Sequence, residues 1–301
     1  MSIDADAVLI AGPTASGKSG AALALAEAIG GDIVNADSMQ IYAEPRVLTA
    51  RPSEEEMRRV PHLLYGHVSV LQPYSVGRYQ SDAAHALERV RGWGRAPIFV
   101  GGTGMYFSVL TEGIANIPPV PARVRESAAA RRSELGAEAF HVELAARDLK
   151  TAARLQPSDT QRVLRAYEVF EATGRSLSEW QTETAQPVLA GLKLARFVLA
   201  PPREELYARI DARFDRMVQL GALEEAVALA GIDPGLPAAK ILGRRELLAV
   251  HAGTMSLDDA KAAAKQATRN YAKRQLTWFR NRMADWTWVE MTNAILWETS
   301  R

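Results

Sequence analysis

Apolar residues occur along this chain in short runs that end in polar or glycine-rich loops. The run at residues 8–11 ends at Gly12, and residues 20–28 beyond it are rich in helix formers, which predicts a strand, a loop and a helix. Further strands are predicted at residues 32–35, 97–100 and 192–199. Because helical segments alternate with these strands, we expect an α/β fold: a parallel sheet flanked by helices, with polar loops at its carboxyl edge.

A proline cluster at residues 117–121 marks a change of pattern, since proline stiffens the backbone and blocks helix continuation. From residue 122 to about residue 181 the chain is charged, helix-forming and largely without strand signals. Residues 158–160 are expected to cap a helix at 161–172, which Gly174 would end. This segment therefore predicts a helical insertion.

The pattern after the insertion predicts the domain organisation. The strand at 192–199 indicates that the sheet resumes there, and residues 204–282 are helical in pattern with a break at 233–237. We therefore expect one catalytic core made of residues 1–117 and 191–301. The helical insertion would occupy residues 118–190.

Composition narrows the class of protein and the kind of site. Of 301 residues, 48% are hydrophobic and 24% charged, close to the average for folded globular proteins. No stretch of about 18 apolar residues occurs, so we expect no membrane span. Acidic residues near the N-terminus do not fit a secretory signal, and we expect a cytoplasmic protein. The lack of cysteine excludes thiolate metal sites, and the net charge of +1 does not by itself indicate a polyanionic partner.

The loop after the first predicted strand has the pattern of a P-loop: glycine, four residues, glycine, lysine and a hydroxyl residue. Its glycines let the backbone wrap around phosphate oxygens, Lys18 would neutralise them, and Ser19 could ligate Mg²⁺. The loop consists of Gly12, Pro13, Thr14, Ala15, Ser16, Gly17, Lys18 and Ser19. It predicts a P-loop NTPase-like sheet that binds phosphate, and it fits kinases, ATPases, GTPases and diphosphate-consuming transferases alike.

Two further motifs follow predicted strands and so lie at the same edge of the sheet. DSMQIY begins at Asp37, whose carboxylate could accept a proton from an incoming nucleophile. Asp37 could equally cap the next helix or bind Mg²⁺ through water. GGTGMY at residues 101–106 has glycines that permit close approach of a bulky ligand, although a plain strand-to-helix turn would look similar. We expect the three loops to form one pocket.

Basic residues are concentrated near the C-terminus, where seven occur between Lys261 and Arg282 with no acidic residue among them. The first four recur at every fourth position and so share one helix face, which suits a phosphate backbone. Tyr271, Trp278 and Phe279 could stack on unpaired bases. A solvated face with its aromatic residues in the core is the alternative interpretation. The seven are Lys261, Lys265, Arg269, Lys273, Arg274, Arg280 and Arg282.

Taken in order, these motifs resemble the tRNA dimethylallyltransferase family, also called tRNA isopentenyltransferases. They are GPTASGKS at 12–19, DSMQIY at 37–42, GGTGMY at 101–106, QRVLRAYEV at 161–169 and YAKRQLTWFR at 271–280. The resemblance implies transfer of a dimethylallyl group from dimethylallyl diphosphate to the exocyclic amine of the adenosine 3′ of certain anticodons. It also implies the tRNA anticodon stem-loop as partner and Mg²⁺ as cofactor, and we expect a monomer.

The resemblance gives roles to residues of the pocket. Asp37 would take the proton of the adenine amine, which is a poor nucleophile because its lone pair is delocalised. The P-loop would hold the diphosphate, with Mg²⁺ near Ser19 and the Thr14 hydroxyl beside the leaving group. Arg213 would reach the diphosphate, although the sequence alone would leave it as a solvated helix arginine.

The resemblance also implies where tRNA binds, with Thr103 and Arg125 along the path of the unstacked adenosine. The family usually has an aromatic residue where this chain has Arg244, and an arginine there can both stack and bind phosphate. The residues expected at the tRNA are Asp37, Ser38, Met39, Gln40, Thr103, Arg125, Gln161, Arg162, Val163, Leu164, Arg165, Lys240, Arg244, Arg245, Lys273, Arg274, Gln275, Trp278 and Arg280.

Three rival functions fit part of the sequence. A small-molecule kinase would use the P-loop for ATP and Asp37 to activate a hydroxyl, and another prenyltransferase would use free adenine nucleotides as acceptor. The basic residues between Lys261 and Arg282, called the basic stripe below, and the helical insertion argue against both, because neither substrate needs a long basic surface. A non-catalytic RNA-binding protein with a vestigial P-loop would not need the intact Lys18, Ser19 and Asp37.

Overall fold

Six parallel strands form a single sheet in the computed structural model, which describes residues 3–183, 185–291 and 294–295. The strands are β1 (Ala7–Ala11), β2 (Gly31–Asn35), β3 (His62–Leu63), β4 (Ala96–Gly101), β5 (Leu194–Leu199) and β6 (Thr287–Val289). Their order across the sheet is β3-β2-β4-β1-β5-β6, and each neighbouring pair is parallel. The predicted parallel α/β sheet is confirmed.

Helices make up most of the rest of the described chain. They are α1 (Lys18–Ile29), α2 (Glu54–Arg59), α3 (Val76–Gly92), α4 (Gly104–Thr111), α5 (Ala122–Ala145), α6 (Leu149–Ala152), α7 (Thr160–Thr173), α8 (Leu177–Trp180), α9 (Arg203–Gln219), α10 (Ala222–Ala228), α11 (Arg244–His251) and α12 (Leu257–Arg282), with a 3-10 helix at Pro237–Lys240. None of the helices within the described residues is long and apolar enough to cross a membrane.

Burial of the central strand explains why its sequence is a continuous apolar run. β1 lies between β4 and β5, with Val8 opposite both Ile98 and Ala195, and all five of its residues are fully buried. A strand covered on both faces needs apolar side chains on both. The carboxyl ends of β1, β2 and β4 therefore meet at one edge, where the P-loop, DSMQIY and GGTGMY segments begin.

The described chain divides into two compact units. One consists of residues 1–111 and 188–301, and contains the whole sheet; the other consists of residues 112–187. The sequence analysis predicts this insertion at residues 118–190. The smaller unit has its own apolar core, formed by Ala128, Phe140, Leu144, Ala152, Val163, Ala166 and Tyr167.

The predicted helix at 161–172 exists as α7, but its predicted side-chain cap does not form. Asp159 occupies the cap position without a side-chain hydrogen bond to the helix, and its carboxylate pairs with Arg162 at 3.4 Å instead. At the other end Gly174 adopts φ 67°, and its N–H donates to the Phe170 carbonyl. A left-handed residue at this place is readily supplied by glycine, as the sequence predicted.

Candidate active site

The P-loop turns sharply between β1 and α1. Ala15 and Gly17 have φ of 64° and 93°, and this alternation of hand turns successive amides toward a common side. Gly12 is closely packed, since a Cβ there would lie 2.7 Å from Ser16 Oγ and 2.8 Å from the Leu199 carbonyl oxygen. The loop thus has the geometry of an anion-binding nest.

Lys18 opens α1 and folds back over the loop, where its Nζ donates to the Pro13 carbonyl at 3.2 Å. Burial lowers the pKa of Lys18 from 10.5 to about 8, against the opposing effect of the Asp37 charge, and Arg213 lowers it further. Desolvation disfavours a charged amine unless an anion compensates for it. Ser16 Oγ in the same loop is buried and has no hydrogen-bond partner within the described chain.

Asp37 is held by its own neighbours. The Asn35 side chain accepts from the Asp37 N–H at 2.8 Å and donates to the Asp37 carbonyl at 3.0 Å, which fixes the peptide on both sides. Asp37 Oδ1 accepts from the Met39 N–H at 3.0 Å. This bond closes a turn two residues long and does not cap a helix, because residues 38–42 are not helical.

The third loop packs directly on the second. A Cβ at Gly101 would lie 2.0 Å from the Ala36 carbonyl oxygen, so only glycine lets the two strand ends approach this closely. The Thr103 hydroxyl accepts from the Ser38 N–H at 2.9 Å and donates to Ser38 Oγ at 3.1 Å. The DSMQIY and GGTGMY segments are therefore joined by hydrogen bonds.

Helix α9 contributes two arginines to the P-loop. Arg213 donates to the Thr14 hydroxyl, and Arg209, one turn earlier, donates to the Ser16 carbonyl at 3.0 Å. Burial lowers the pKa of Arg213, and its Nε is a buried donor without a partner in the described structure. The sequence alone favoured a solvated arginine here, and the structure corrects that interpretation because Arg213 points into the site.

Some of these groups line one cavity, whose lining combines polar and apolar side chains. Asp37, Thr14, Arg213 and Tyr271 are on its lining together with Thr49 and Thr268. The apolar lining residues are Met39, Leu48, Ile210, Phe214, Met217, Ile241 and Leu242. A lining of this composition suits a ligand that has both an anionic part and an apolar part.

Comparison with known proteins identifies the family. A family model described as IPP transferase matches residues 40–282, and one described as isopentenyl transferase matches residues 5–70. A tRNA dimethylallyltransferase of Parvibaculum lavamentivorans is 54% identical over 282 residues, covering 93% of this chain and 89% of that protein. One of Nitrobacter hamburgensis is 51% identical over 292 residues, covering 96% and 92%. The chain belongs to the tRNA dimethylallyltransferase family.

Solved structures of the family have the same fold. The tRNA isopentenylpyrophosphate transferase of Bacillus halodurans aligns with a TM-score of 0.67 and 33% identity, covering 97% of this chain and 94% of that one. A eukaryotic dimethylallyltransferase, described as acting on tRNA, aligns with a TM-score of 0.78 and 28% identity, covering 91% and 69%. The P-loop NTPase-like fold and the family resemblance predicted from the motifs are both confirmed.

Nine of the nineteen residues that the family resemblance puts at the tRNA are exposed in the unit that contains them. In the smaller unit, Arg125, Gln161, Arg162 and Arg165 are exposed. The side chain of Val163 is fully buried in the core of the smaller unit and is not available for the predicted contact. Leu164 is half-buried against the same core, and its contact with tRNA stays a prediction. In the larger unit the exposed residues are Lys240, Arg245, Lys273, Arg274 and Arg280.

Arg244 does not have the role that the sequence suggested for it. Its side chain is buried, and its guanidinium donates to the Leu229 carbonyl at 2.7 and 3.1 Å and to the Ala230 carbonyl at 3.2 Å. These carbonyls lie just past the C-terminus of α10, where a cation is favoured. Arg244 caps a helix and is not available to stack on a base, and an aromatic residue could not replace these bonds.

The basic stripe of α12 also requires a correction. Its first three residues are already paired within the protein, because α9 supplies carboxylates to them. Lys261 and Lys265 pair with Asp215 at 2.9 and 2.7 Å. Arg269 pairs with Asp211, with Nε 3.1 Å from Oδ1. Of the four basic residues that recur at every fourth position, only Lys273 is exposed.

Two side chains predicted to contact tRNA have their polar atoms engaged within the protein. Gln40 donates to the carbonyls of Thr49 and Ala50, both at 2.9 Å, which anchors the loop that carries Leu48 and Thr49 to the cavity. Gln275 is buried on α12 and bonds to two loops of the site. Trp278 is half-buried and packs on Gly104, where a Cβ would lie 2.3 Å from its ring.

The site also depends on residues that the sequence analysis did not single out. Asn35 holds Asp37, and Glu225 of α10 accepts from the N–H groups of Arg46, Val47 and Leu48, each at 2.8 Å. Only the three-dimensional fold brings Glu225 to that loop. Asn35 could have been suspected, because an asparagine two residues before a turn residue commonly bonds the backbone there.

Ser19 fits the predicted Mg²⁺ only as one ligand among several. No cluster of three His, Asp or Glu side chains that could hold a metal occurs in the described parts of the chain. Mg²⁺ commonly keeps several waters and binds through one or two protein groups plus substrate phosphates. An exposed serine hydroxyl in the first turn of α1, next to the P-loop, has the oxygen chemistry for that arrangement.

Proposed function

We propose that this chain transfers a dimethylallyl group from dimethylallyl diphosphate to the exocyclic amine of the adenosine 3′ of the anticodon in tRNA, and releases diphosphate. The observation that carries the proposal is the lining of the cavity, where Asp37, Thr14 and Arg213 are combined with an apolar wall. Transfer of phosphate alone needs no such wall, whereas a five-carbon allyl group gains from burying its apolar surface.

In the proposed reaction the amine nitrogen attacks the allylic carbon, a carbon–nitrogen bond forms, and the carbon–oxygen bond to diphosphate breaks. The electron pair of the broken bond leaves with diphosphate, and the proton of the amine goes to the Asp37 carboxylate. Since Oδ1 of Asp37 already accepts from the Met39 N–H, Oδ2 is the better placed oxygen for this proton. The two hydrogen bonds between the Asn35 side chain and the Asp37 backbone keep the carboxylate in position.

The leaving diphosphate would be stabilised by groups that have no ion pair among the described residues. Lys18 and Arg213 are desolvated cations, and the Ser16 hydroxyl is a buried donor without a partner among the described residues. A buried polar group without a partner costs about 1–3 kcal/mol, which phosphate oxygens would offset. When bound by Ser19 and the diphosphate, Mg²⁺ would add positive charge to the same oxygens.

For the acceptor, we propose that tRNA lies along the C-terminal part of α12. Lys273, Arg274 and Arg280 are exposed there, and Trp278 shares a shallow groove with the first two. Cations interleaved with an aromatic ring suit an anticodon loop, whose bases are unpaired. We further propose that the enzyme acts in the cytoplasm as a monomer.

The test is incubation of the protein with unmodified tRNA, radiolabelled dimethylallyl diphosphate and Mg²⁺. We expect label in the tRNA, and none in a matched tRNA whose adenosine 3′ of the anticodon is replaced by guanosine. ATP turnover without labelled tRNA would refute the proposal and favour a kinase. Label in free adenine nucleotides would favour the other kind of prenyltransferase.

Substitution of Asp37 tests the assigned base directly. Asp37→Ala should nearly abolish transfer, by about 10²–10⁴-fold, because no other carboxylate lines the cavity within the described residues. Asp37→Asn keeps an oxygen that can accept from the Met39 N–H, and should lose transfer to a similar extent. Affinity for tRNA should stay close to normal in both variants, and a loss of affinity as large as the loss of rate would contradict the role.

A further inference from the structure

The side-chain amide of Gln275 joins two loops of the active site. Its Oε1 accepts from the Thr14 N–H of the P-loop at 2.9 Å, and its Nε2 donates to the Gly102 carbonyl at 2.8 Å. The side chain is buried, with only 6% of the residue exposed. Gln275 therefore uses both ends of its amide inside the larger unit and does not present them to a ligand on the surface of α12.

The surrounding backbone is shaped to this side chain. A Cβ at Gly102 would lie 2.3 Å from Gln275 Nε2, 3.3 Å from the Gly12 carbonyl oxygen and 3.4 Å from Asp37 Oδ2. Gly102 is thus the point where the P-loop, the catalytic carboxylate and the amide of Gln275 come closest together. Its lack of a side chain is what allows the amide to reach both loops.

The bond to Thr14 has a consequence for the donor site. The Thr14 N–H is occupied by Gln275, so this amide of the P-loop does not serve as a donor to phosphate. The bond instead fixes the backbone of Thr14, whose hydroxyl accepts from Arg213. Thr14 is therefore bonded through its backbone to Gln275 and through its hydroxyl to Arg213.

We propose that Gln275 is a positioning residue that clamps the P-loop to the 101–106 loop and so sets the separation between the Asp37 carboxylate and the diphosphate. This assignment rests on the proposed function and deepens it. It replaces the tRNA contact that the sequence suggested for Gln275. The geometry of reacting groups matters strongly here, because a misplacement of about 1 Å can cost on the order of 10²-fold in rate.

Two variants separate the clamp from simple loss of packing. Gln275→Glu keeps the acceptor for the Thr14 N–H but sets an oxygen against the Gly102 carbonyl in place of a donor. Gln275→Ala removes both bonds. We expect kcat to fall and the KM for dimethylallyl diphosphate to rise, giving a loss of about 10- to 100-fold in kcat/KM for the donor in each variant. The Kd for tRNA should stay within about twofold of wild type.

Gln266→Ala is the matched control, because Gln266 is an exposed glutamine on the same helix. This variant should leave kcat, the KM for dimethylallyl diphosphate and the Kd for tRNA unchanged. Weaker tRNA binding in Gln275→Ala, with kcat and donor KM as in wild type, would overturn the clamp in favour of a tRNA contact. Unchanged values throughout would overturn it as well. Thermal unfolding of each variant identifies any that fail to fold.

A double-variant cycle gives a second measurement. Gly102→Ala should impair the enzyme because its methyl group would collide with the amide of Gln275. Adding Gln275→Ala removes the collision, so the double variant should lose less than the product of the two single losses. Purely multiplicative losses would contradict the clamp.

Direct binding of the donor keeps the clamp separate from the proposed function. The Kd for dimethylallyl diphosphate is measured by calorimetry without tRNA, and the clamp predicts that it rises by about 10-fold in Gln275→Ala. If wild type transfers no label to tRNA, the proposed function fails, and the clamp is still judged on this Kd. A Kd equal to that of wild type would overturn the clamp even in an active enzyme.

Discussion

The two faces of α9 differ in whether the cations beside them are paired with carboxylates. The face toward α12 carries carboxylates, and every cation it meets is paired: Lys261 and Lys265 with Asp215, and Arg269 with Asp211. The face toward the cavity carries Arg213, which contacts a hydroxyl and has no ion pair in the part of the chain that the structure describes. Lys18 at the same site likewise donates to a carbonyl and not to a carboxylate.

The pKa shifts of two lysines express this difference. Hydrogen bonding to Asp215 raises the pKa of Lys261 above its usual value, so its charge is held in place. Burial lowers the pKa of Lys18 to about 8, so its charge is costly to keep without an anion. Lys261, whose role is structural, is thus neutralised by a carboxylate of the protein, whereas Lys18, beside the proposed anion site, is desolvated and has no ion pair among the described residues.

The largest effect is expected from removing the guanidinium of Arg213, which has no ion pair among the described residues. Arg213→Gln should lower transfer by about 10²–10³-fold, the usual size of effect when a donor to developing negative charge is lost. Stability should not fall in proportion, because a desolvated charge without an ion pair is also removed. Activity assays and thermal unfolding on the same sample measure both.

Arg216→Gln is the control for that experiment, since Arg216 is exposed one turn away on the same helix. It should retain nearly full activity. Equal losses in the two variants would mean that the position of an arginine relative to the cavity does not matter, and the comparison would fail.

The exposed and the paired residues of the basic stripe should contribute differently to tRNA binding. Lys273→Ala combined with Arg274→Ala should weaken tRNA binding by about tenfold and make its salt dependence shallower, by roughly one unit of slope for each phosphate that is no longer neutralised. Lys261→Ala combined with Lys265→Ala should leave the slope unchanged, because these two lysines already have a carboxylate. Binding curves at several salt concentrations distinguish the pairs.

An equal fall in slope for both pairs would show that the ion pairs with α9 open when tRNA binds. An unchanged slope for both would mean that the exposed part of α12 is only a solvated face.

Much of the fold could be predicted because local sequence and final environment agree. β1 and β4 are largely apolar runs that end in glycine-rich turns, and the sheet buries them almost completely. β2 and β5 have apolar residues beside polar ones, and these apolar residues gave the signal for a strand. β3 and β6 have two and three residues, too few for a pattern, and they exist because a sheet edge is available to pair with. The helices α2 and α3 were not predicted, although Ser53 and Ser75 cap them with side-chain hydrogen bonds.

The chemical loops of the site were predictable from motifs, and the supports of these loops were not. Asp37 and Lys18 follow strands, so their meeting at one edge follows from a parallel sheet. The counter-charges on α9 lie about 50 residues away along the chain from the lysines they bind. Acidic residues at 211 and 215 have the same four-residue spacing as the stripe, a signal that could have suggested pairing.

The third prediction uses pH to tell the two kinds of lysine apart. Lys18 is charged below its pKa of about 8 and loses its proton above it, so affinity for dimethylallyl diphosphate should fall between pH 7 and pH 9. The fall should be several-fold and at most about tenfold, because only one charge is lost. Phosphate monoesters lose their second proton near pH 6, so we expect the terminal phosphate of the ligand to be ionised over this range.

Two conservative variants control this experiment. Lys18→Arg should flatten the pH profile, because a guanidinium stays charged throughout. Lys261→Arg should keep the wild-type profile, because the raised pKa of Lys261 already keeps it charged. A decline that persists in Lys18→Arg would assign the titration to another group.

The smallest effect is expected from the paired face. Asp211→Asn combined with Asp215→Asn leaves three cations of α12 without carboxylates, but these pairs are partly exposed and screened, so Tm should fall by only on the order of a few degrees. Because hydrogen bonds from Lys265 and Lys261 lower the pKa of Asp215, its stabilising effect is present above the usual aspartate pKa and is lost as pH falls through the lowered value. Near 1 M salt the difference from wild type should shrink, since exposed pairs are screened. If Tm fell as far at high salt as at low salt, the contact between α9 and α12 would depend on the hydrogen bonds that these carboxylates accept and not on their charge, since asparagine keeps the shape of aspartate.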